Sequence, residues 1–100
     1  MKAQPEGTAA QAVEQALATI ERWNPVVNAM ITVSAQAARE RAATLDRLAA
    51  SGQSAGPLHG WVINLKDCLD WAGVPTTAAS VILRDNIPAK NAFITDRLIN

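Results

Sequence analysis

The sequence is poor in reactive and large aromatic side chains: in 100 residues it has one cysteine, one histidine, one phenylalanine and no tyrosine. A single cysteine excludes an internal disulfide, and one cysteine is not a metal site. Cys68 is read instead as a small buried hydrophobe, in keeping with a reducing compartment. Charge of one sign is also missing. Nine basic and nine acidic side chains give a net charge of zero, which argues against nucleic acid as the main partner, since phosphate contacts require a surplus of Lys and Arg on one face. Arg39, Arg41 and Arg47, interleaved with Glu40 and Asp46, read as the solvated face of a helix. No apolar run approaches the roughly 20 residues of a membrane span, so no membrane association is expected. The first residues, MKAQPEGTAAQ, show no apolar core of a signal peptide, and the expected location is cytoplasmic.

What is present is alanine and a modest set of branched aliphatics. Hydrophobic residues make up 49% of the chain, but alanine, which is prominent among them, favours helix and contributes little apolar area. A chain of this length is at most one small domain and buries a smaller fraction of its surface than a larger one. Residues 1–7 are polar, with Pro5 and Gly7, and read as a flexible lead-in. Thr8 and Gln11 form a capping box, after which Val13, Leu17 and Ile20, with Ala16, recur on one helical face opposite Glu14, Glu21 and Arg22. Asn24-Pro25 is expected to stop this helix. Residues 28–33 read as a strand, and Ser34 as the cap of a second helix over 35–50, anchored by Leu45 and Leu48 and ended by Gly52. A loop over 51–57 leads to a second strand at 61–65, running into Lys66-Asp67. Gly73, Pro75 and Thr76-Thr77 mark irregular backbone. Asn91 is expected to cap a third helix over 92–99, with Phe93, Ile94 and Leu98 as its contacts. Trp23, Trp61 and Trp71 are expected in core and edge packing. The third helix meets the end of the sequence without a stop signal, and the chain reads as interrupted.

The second half carries a pattern of many fixed spacings. Gly56-Pro-Leu-His-Gly60 leads through the apolar run to Lys66-Asp67, followed by Asp70, Ala72-Gly73, Pro75-Thr76-Thr77-Ala78 and Ser80, then by Asp85, Pro88, Ala92 and Arg97-Leu98. Upstream, Ala16-Leu17, Ile20, Asn24-Pro25, Asn28-Ala29 and the run ending at Val33 fit as well. Over residues 12–98 the chain resembles the start of the amidase signature family, whose members hydrolyse carbon–nitrogen amide bonds. The resemblance implies an α/β fold, with helices around a mixed β-sheet. Residues 8–100 would form the N-terminal part of that domain, truncated before the serine nucleophile segment. It implies a catalytic set of a serine nucleophile, a second serine on a cis peptide bond, and a lysine, for which Lys66 stands in position. It also implies no metal or organic cofactor, and an amide of small-molecule type as substrate.

The chemistry is sound on its own terms. A serine hydroxyl attacks a carbonyl poorly until a base takes its proton, and a desolvated lysine can be held neutral enough to do so. Backbone N–H groups of a glycine-rich serine loop would stabilise the oxyanion. The serines here are Ser34, Ser51, Ser54 and Ser80, none in a Gly-Gly-Ser context, so the chain alone is expected to be nearly inactive and to need a missing C-terminal amidase portion. The sequence departs from the family at Trp61 and Val62, where a smaller aliphatic and a proline are usual, at Cys68 for a common asparagine, and at Asn91 for a frequent aspartate. His59, Asp67 and Ser80 supply hydrolase residue types without a nucleophile-elbow spacing. His59 reads as a loop residue bonded to backbone, and Asp67 and Asp70 as turn formers. Two alternatives stand beside catalysis: a non-catalytic truncated or pseudogene-like product, and a small interaction module that uses the helix over 9–23 as a docking face.

Overall fold

A computed structural model describes residues 6–100; the greater part of the lead-in, residues 1–5, lies outside the described residues. Among the described residues three α-helices form, α1 (Ala9–Val27), α2 (Ala35–Ala50) and α3 (Phe93–Ile99), with a 3-10 turn at Val81–Leu83 before the last. The chain divides into two units, Met1–Val62 and Ile63–Asn100.

The first unit is a helical hairpin. Its start follows from local chemistry: the Thr8 hydroxyl accepts from the Gln11 N–H at 3.1 Å, and the Gln11 side chain accepts from the Thr8 N–H at 3.0 Å. The turn before it needs glycine. Gly7 has φ +93°, and a Cβ there would run into Gln11 Oε1. Further free donors of α1 are met from α2, where the Asp46 carboxylate accepts from the Ala9 N–H at 2.7 Å and the Ala10 N–H at 3.0 Å. One side chain thus caps a helix and ties it to its neighbour. Asp46→Ala should cost about 1–2 kcal/mol, in the range of a lost N-cap. Urea unfolding followed by circular dichroism at 222 nm checks this, and a midpoint unchanged from wild type would contradict it.

Between the helices, Ala9 and Val13 meet Ala42 and Leu45, with Leu17, Ala38 and Leu48 packed around them. The small side chains Ala9, Ala38 and Ala42 allow the helices to approach, and Leu45 and Val13 fill the seam. On the solvent side Arg39 donates from Nε to Glu14 Oε1 at 2.6 Å and from its terminal nitrogen to Oε2 at 3.0 Å. That hydrogen bond, aided by the guanidinium charge, holds the Glu14 carboxyl below its usual range. α2 ends as a Schellman turn: Gly52 takes φ +76°, the Gln53 N–H reaches the Leu48 carbonyl at 2.9 Å and the Gly52 N–H the Ala49 carbonyl at 3.0 Å. Ser34 precedes α2 but makes no side-chain capping bond.

Two expectations fail here for one reason. Asn24-Pro25 does not stop α1, which includes Pro25 and runs to Val27. In the last turn proline forfeits a single donor. The Asn28 N–H still closes on the Asn24 carbonyl at 2.8 Å, with Asn28 in the left-handed region at φ 50°. The Asn24 amide then donates to the Met30 carbonyl at 2.9 Å and accepts from the Met30 N–H at 2.8 Å. Those two bonds occupy both backbone groups of Met30, in the middle of the expected strand at 28–33, and no strand forms there.

Residues 61–65 likewise form no ladder, and the mixed β-sheet is corrected accordingly: among the described residues the only β pairing is an isolated bridge between Trp71 and Val74. A strand requires a partner strand to accept its bonds, and neither apolar run meets one.

The second unit, Ile63–Asn100, is held mainly by polar bonds between loops. The Gly73 N–H bonds the Pro88 carbonyl and the Thr76 N–H the Asn86 carbonyl, both at 3.0 Å, while Asn86 Nδ2 returns to the Thr76 carbonyl at 2.8 Å. The Asp70 carbonyl anchors α3, accepting from the Ala92 N–H at 2.9 Å and the Thr95 hydroxyl at 2.8 Å. Thr95, 0% exposed, is the inward residue of α3, whereas Phe93 is 82% exposed and Ile94 also faces out; of the three expected contacts only Leu98 is half-buried. Asn91 is not the cap of α3, because its side chain accepts from the Ala72 N–H at 2.7 Å and donates to Asp96 at 2.8 Å. Trp23 is half exposed beneath the Arg22 guanidinium, 4.9 Å from the ring centre, and Trp61 and Trp71 are half-buried.

Candidate functional site

The segment around Lys66 is fixed by its neighbours rather than by a sheet. The backbone over 61–65, which forms no regular element, enters a turn in which the Leu69 N–H bonds the Lys66 carbonyl at 2.9 Å. Asp67, the next residue, is gripped twice. Its carbonyl accepts from the Ala78 N–H at 2.6 Å. Its carboxylate accepts from the Thr77 N–H at 2.8 Å, from the Thr77 hydroxyl, and from the Ala79 N–H at 3.5 Å. The Thr77 hydroxyl is the largest influence holding the Asp67 carboxyl below its usual value, followed by the Thr77 N–H; partial burial opposes them, and the Ala79 N–H adds a little.

The partner turn is costly in itself. Ala78 and Ala79 have φ 49° and 58°, and the Ser80 N–H closes on the Thr77 carbonyl at 2.8 Å. Two left-handed residues in succession describe a type I′ turn, which normally takes Asn-Gly. Alanine there costs roughly 1–2 kcal/mol per residue against the right-handed form. The turn stands because Asp67 collects three of its donors, so a local penalty is offset by a bond across ten residues of sequence.

From the direction of the shift a pH dependence follows. A carboxyl lowered in the folded state contributes stability that is complete above the unfolded value, about 3.9, and is lost as pH falls through the folded value. Glu14 acts in the same direction through Arg39. Amide exchange at Thr77 and Ala79 should therefore be slow at pH 6 and accelerate, after correction for intrinsic rates, only below about pH 4. Protection that instead fell away between pH 6 and 8 would exclude Asp67 as the lock.

Lys66 is exposed, and among the described residues its ammonium has no ion-pair partner. Asp67 behaves as the turn former read from the sequence, and His59 is the expected loop residue bonded to backbone, its Nδ1 accepting from the Ala55 N–H at 3.0 Å.

Cys68 is a free, exposed thiol, contrary to the buried position expected. It falls in the turn after Lys66, where the alternation of a strand no longer applies. Thr77 was visible only as part of irregular backbone; a threonine ahead of two small residues is the signal that marks such a turn. Among the described residues no group of three or more His, Cys, Asp or Glu side chains comes together to hold a metal ion, and no helix is long and apolar enough to cross a membrane.

The sequence pattern of the family described as Amidase matches residues 11–100, the Lys66 segment included. Among curated proteins, the chain is 43% identical over 96 residues to the A subunit of the glutamyl-tRNA(Gln) amidotransferase of Nitratidesulfovibrio vulgaris (strain DP4), covering 96% of this chain and 19% of that protein. It is 36% identical to the same-named protein of Synechococcus sp. (strain CC9605), covering 93% of this chain and 19% of that one. A third, from Granulibacter bethesdensis, is 42% identical over 83 residues, 83% of this chain and 16% of that protein. The chain thus spans about a fifth of the length of the curated relatives it matches. No solved structure matches it closely enough to count as a relative.

Proposed function

The chain belongs to the amidase family, and on that premise we propose that it supplies the lysine of a Ser–Ser–Lys amide hydrolase, with Lys66 as the general base. The observation that carries this reading is the continuous family match over residues 11–100, which runs through the whole Lys66 segment. In the proposed reaction a serine hydroxyl passes its proton by way of a bridging serine to the Lys66 amine and attacks the amide carbonyl. The proton returns to the leaving nitrogen as the C–N bond breaks, and water then hydrolyses the acyl-serine. Both serines come from a further amidase portion, which also supplies the burial that Lys66 lacks here.

Exposed apolar side chains on both units support the need for such a covering portion: Val26 is 74% exposed, and Ile82, at 94%, is almost wholly so. The relatives are named as the A subunit of a glutamyl-tRNA(Gln) amidotransferase. By that kinship the amide is a nitrogen donor of the glutamine type, and the chain's working partners are other proteins of such an assembly. The test is ammonia release from glutamine and simple amides by the purified chain, alone and joined to the serine-bearing remainder of an amidase domain. Activity only in the joined form supports the proposal. Hydrolysis by the chain alone overturns it, and inactivity of a folded joined form favours the non-catalytic interaction module.

A further inference from the structure

The neighbour of Lys66 in sequence is a carboxylate, and an aspartate free to turn toward that ammonium would hold the amine protonated and spoil it as a base. The structure disposes of this carboxylate in another way. Three donors of residues 77–79 converge on it, and a fourth bond, from the Ala78 N–H at 2.6 Å, fixes the Asp67 carbonyl. The arrangement is held against the left-handed penalty at Ala78 and Ala79. Meanwhile the Lys66 ammonium, one residue away, stands exposed with no ion-pair partner among the described residues.

We infer that Thr77 and Asp67 are positioning residues for Lys66: Thr77 sequesters the Asp67 carboxylate, fixing the backbone from which Lys66 projects and keeping its amine unpaired. The inference rests on Lys66 being the base of the proposed reaction, since only then does an unpaired amine matter. It concerns the surroundings of Lys66 in this chain, and so is testable without turnover.

The experiment is competitive acylation of the intact chain with trace acetic anhydride between pH 7 and 10, read by peptide mass spectrometry as the ratio of Lys66 to Lys90 labelling. Thr77→Val removes the hydroxyl and leaves the carboxylate only the two N–H donors, so that pairing with Lys66 can compete, and the ratio should fall roughly three- to fivefold at pH 8 in low salt. In 1 M salt that fall should largely disappear, because the pairing is between exposed charges. Thr77→Ser, which keeps the hydroxyl, should match wild type. Asp67→Asn removes the charge and should leave the ratio unchanged or higher, although it disturbs the same turn. Opposite behaviour of Thr77→Val and Asp67→Asn is the signature, since loosening of the turn alone would move both in one direction. The inference is overturned if the two variants shift the ratio together, if Thr77→Val leaves it unchanged, or if its fall survives high salt. A Lys66 that proves dispensable in the joined enzyme would defeat the proposed function while leaving the labelling result intact, so the two failures are distinguishable.

Discussion

Lys66→Ala, introduced into the chain joined to a serine-bearing amidase remainder, should lower kcat by about 10²- to 10⁴-fold, the usual contribution of a positioned general base. KM should move little, because the proton transfer strengthens only in the transition state and does not contribute to ground-state binding. Lys66→Arg should be nearly as damaging. A guanidinium keeps the positive charge and much of the length, but it stays protonated and cannot accept the serine proton. The pair of variants therefore separates two roles the segment allows. If arginine restored most of the activity, Lys66 would be acting as a fixed charge, and if alanine were tolerated it would have no catalytic role.

How much of this was open to the sequence depends on how far apart the interacting groups lie. The bounds of α2, 35–50, could be read at both ends, because alanine propensity and the Gly52 turn are local effects that act within a few residues. The start of α1 was legible for the same reason, through Thr8 and Gln11. Its end was not, since whether Pro25 breaks a helix or sits in its last turn depends on Asn24 finding Met30. The runs at 28–33 and 61–65 have the composition of strands, but composition does not supply the second strand that would accept their bonds. Lys66 is singled out by the sequence only through the spacing of its whole segment, because an exposed lysine after an apolar run is ordinary in isolation. The Asp67–Thr77 bond was hidden for a physical reason. It depends on Ala78 and Ala79 adopting left-handed backbone that alanine disfavours on its own. Placement of Asp46 beneath α1 was equally closed to inspection, since it pairs residues 37 positions apart.

Leu45→Ala should be the most damaging single change to the hairpin, at about 2–4 kcal/mol, because truncating a buried leucine removes its transfer free energy and leaves a void that neighbours fill only in part. Leu45 is 8% exposed and sits where both helices contribute to a core of four buried residues among those described. Around that point the lining offers little to collapse inward: Ala9, Ala38 and Ala42 have no side chain to extend, and Val13 is held by its branched Cβ. The cost should consequently lie well above that of Leu48→Ala, a residue of the same type on the same helix that is only half-buried. The complementary change, Ala42→Leu, should also destabilise, by about 1–3 kcal/mol, through overpacking at a residue that is only 2% exposed in the seam. Loss in both directions, toward a smaller residue at 45 and a larger one at 42, distinguishes a fitted seam from two helices that merely lie side by side. Urea unfolding at 222 nm resolves the three variants. Equal midpoints for Leu45→Ala and Leu48→Ala would show that burial in this seam does not govern the hairpin's stability. The polar ties, Asp46 to the start of α1 and Arg39 to Glu14, would then be left to hold α1 to α2.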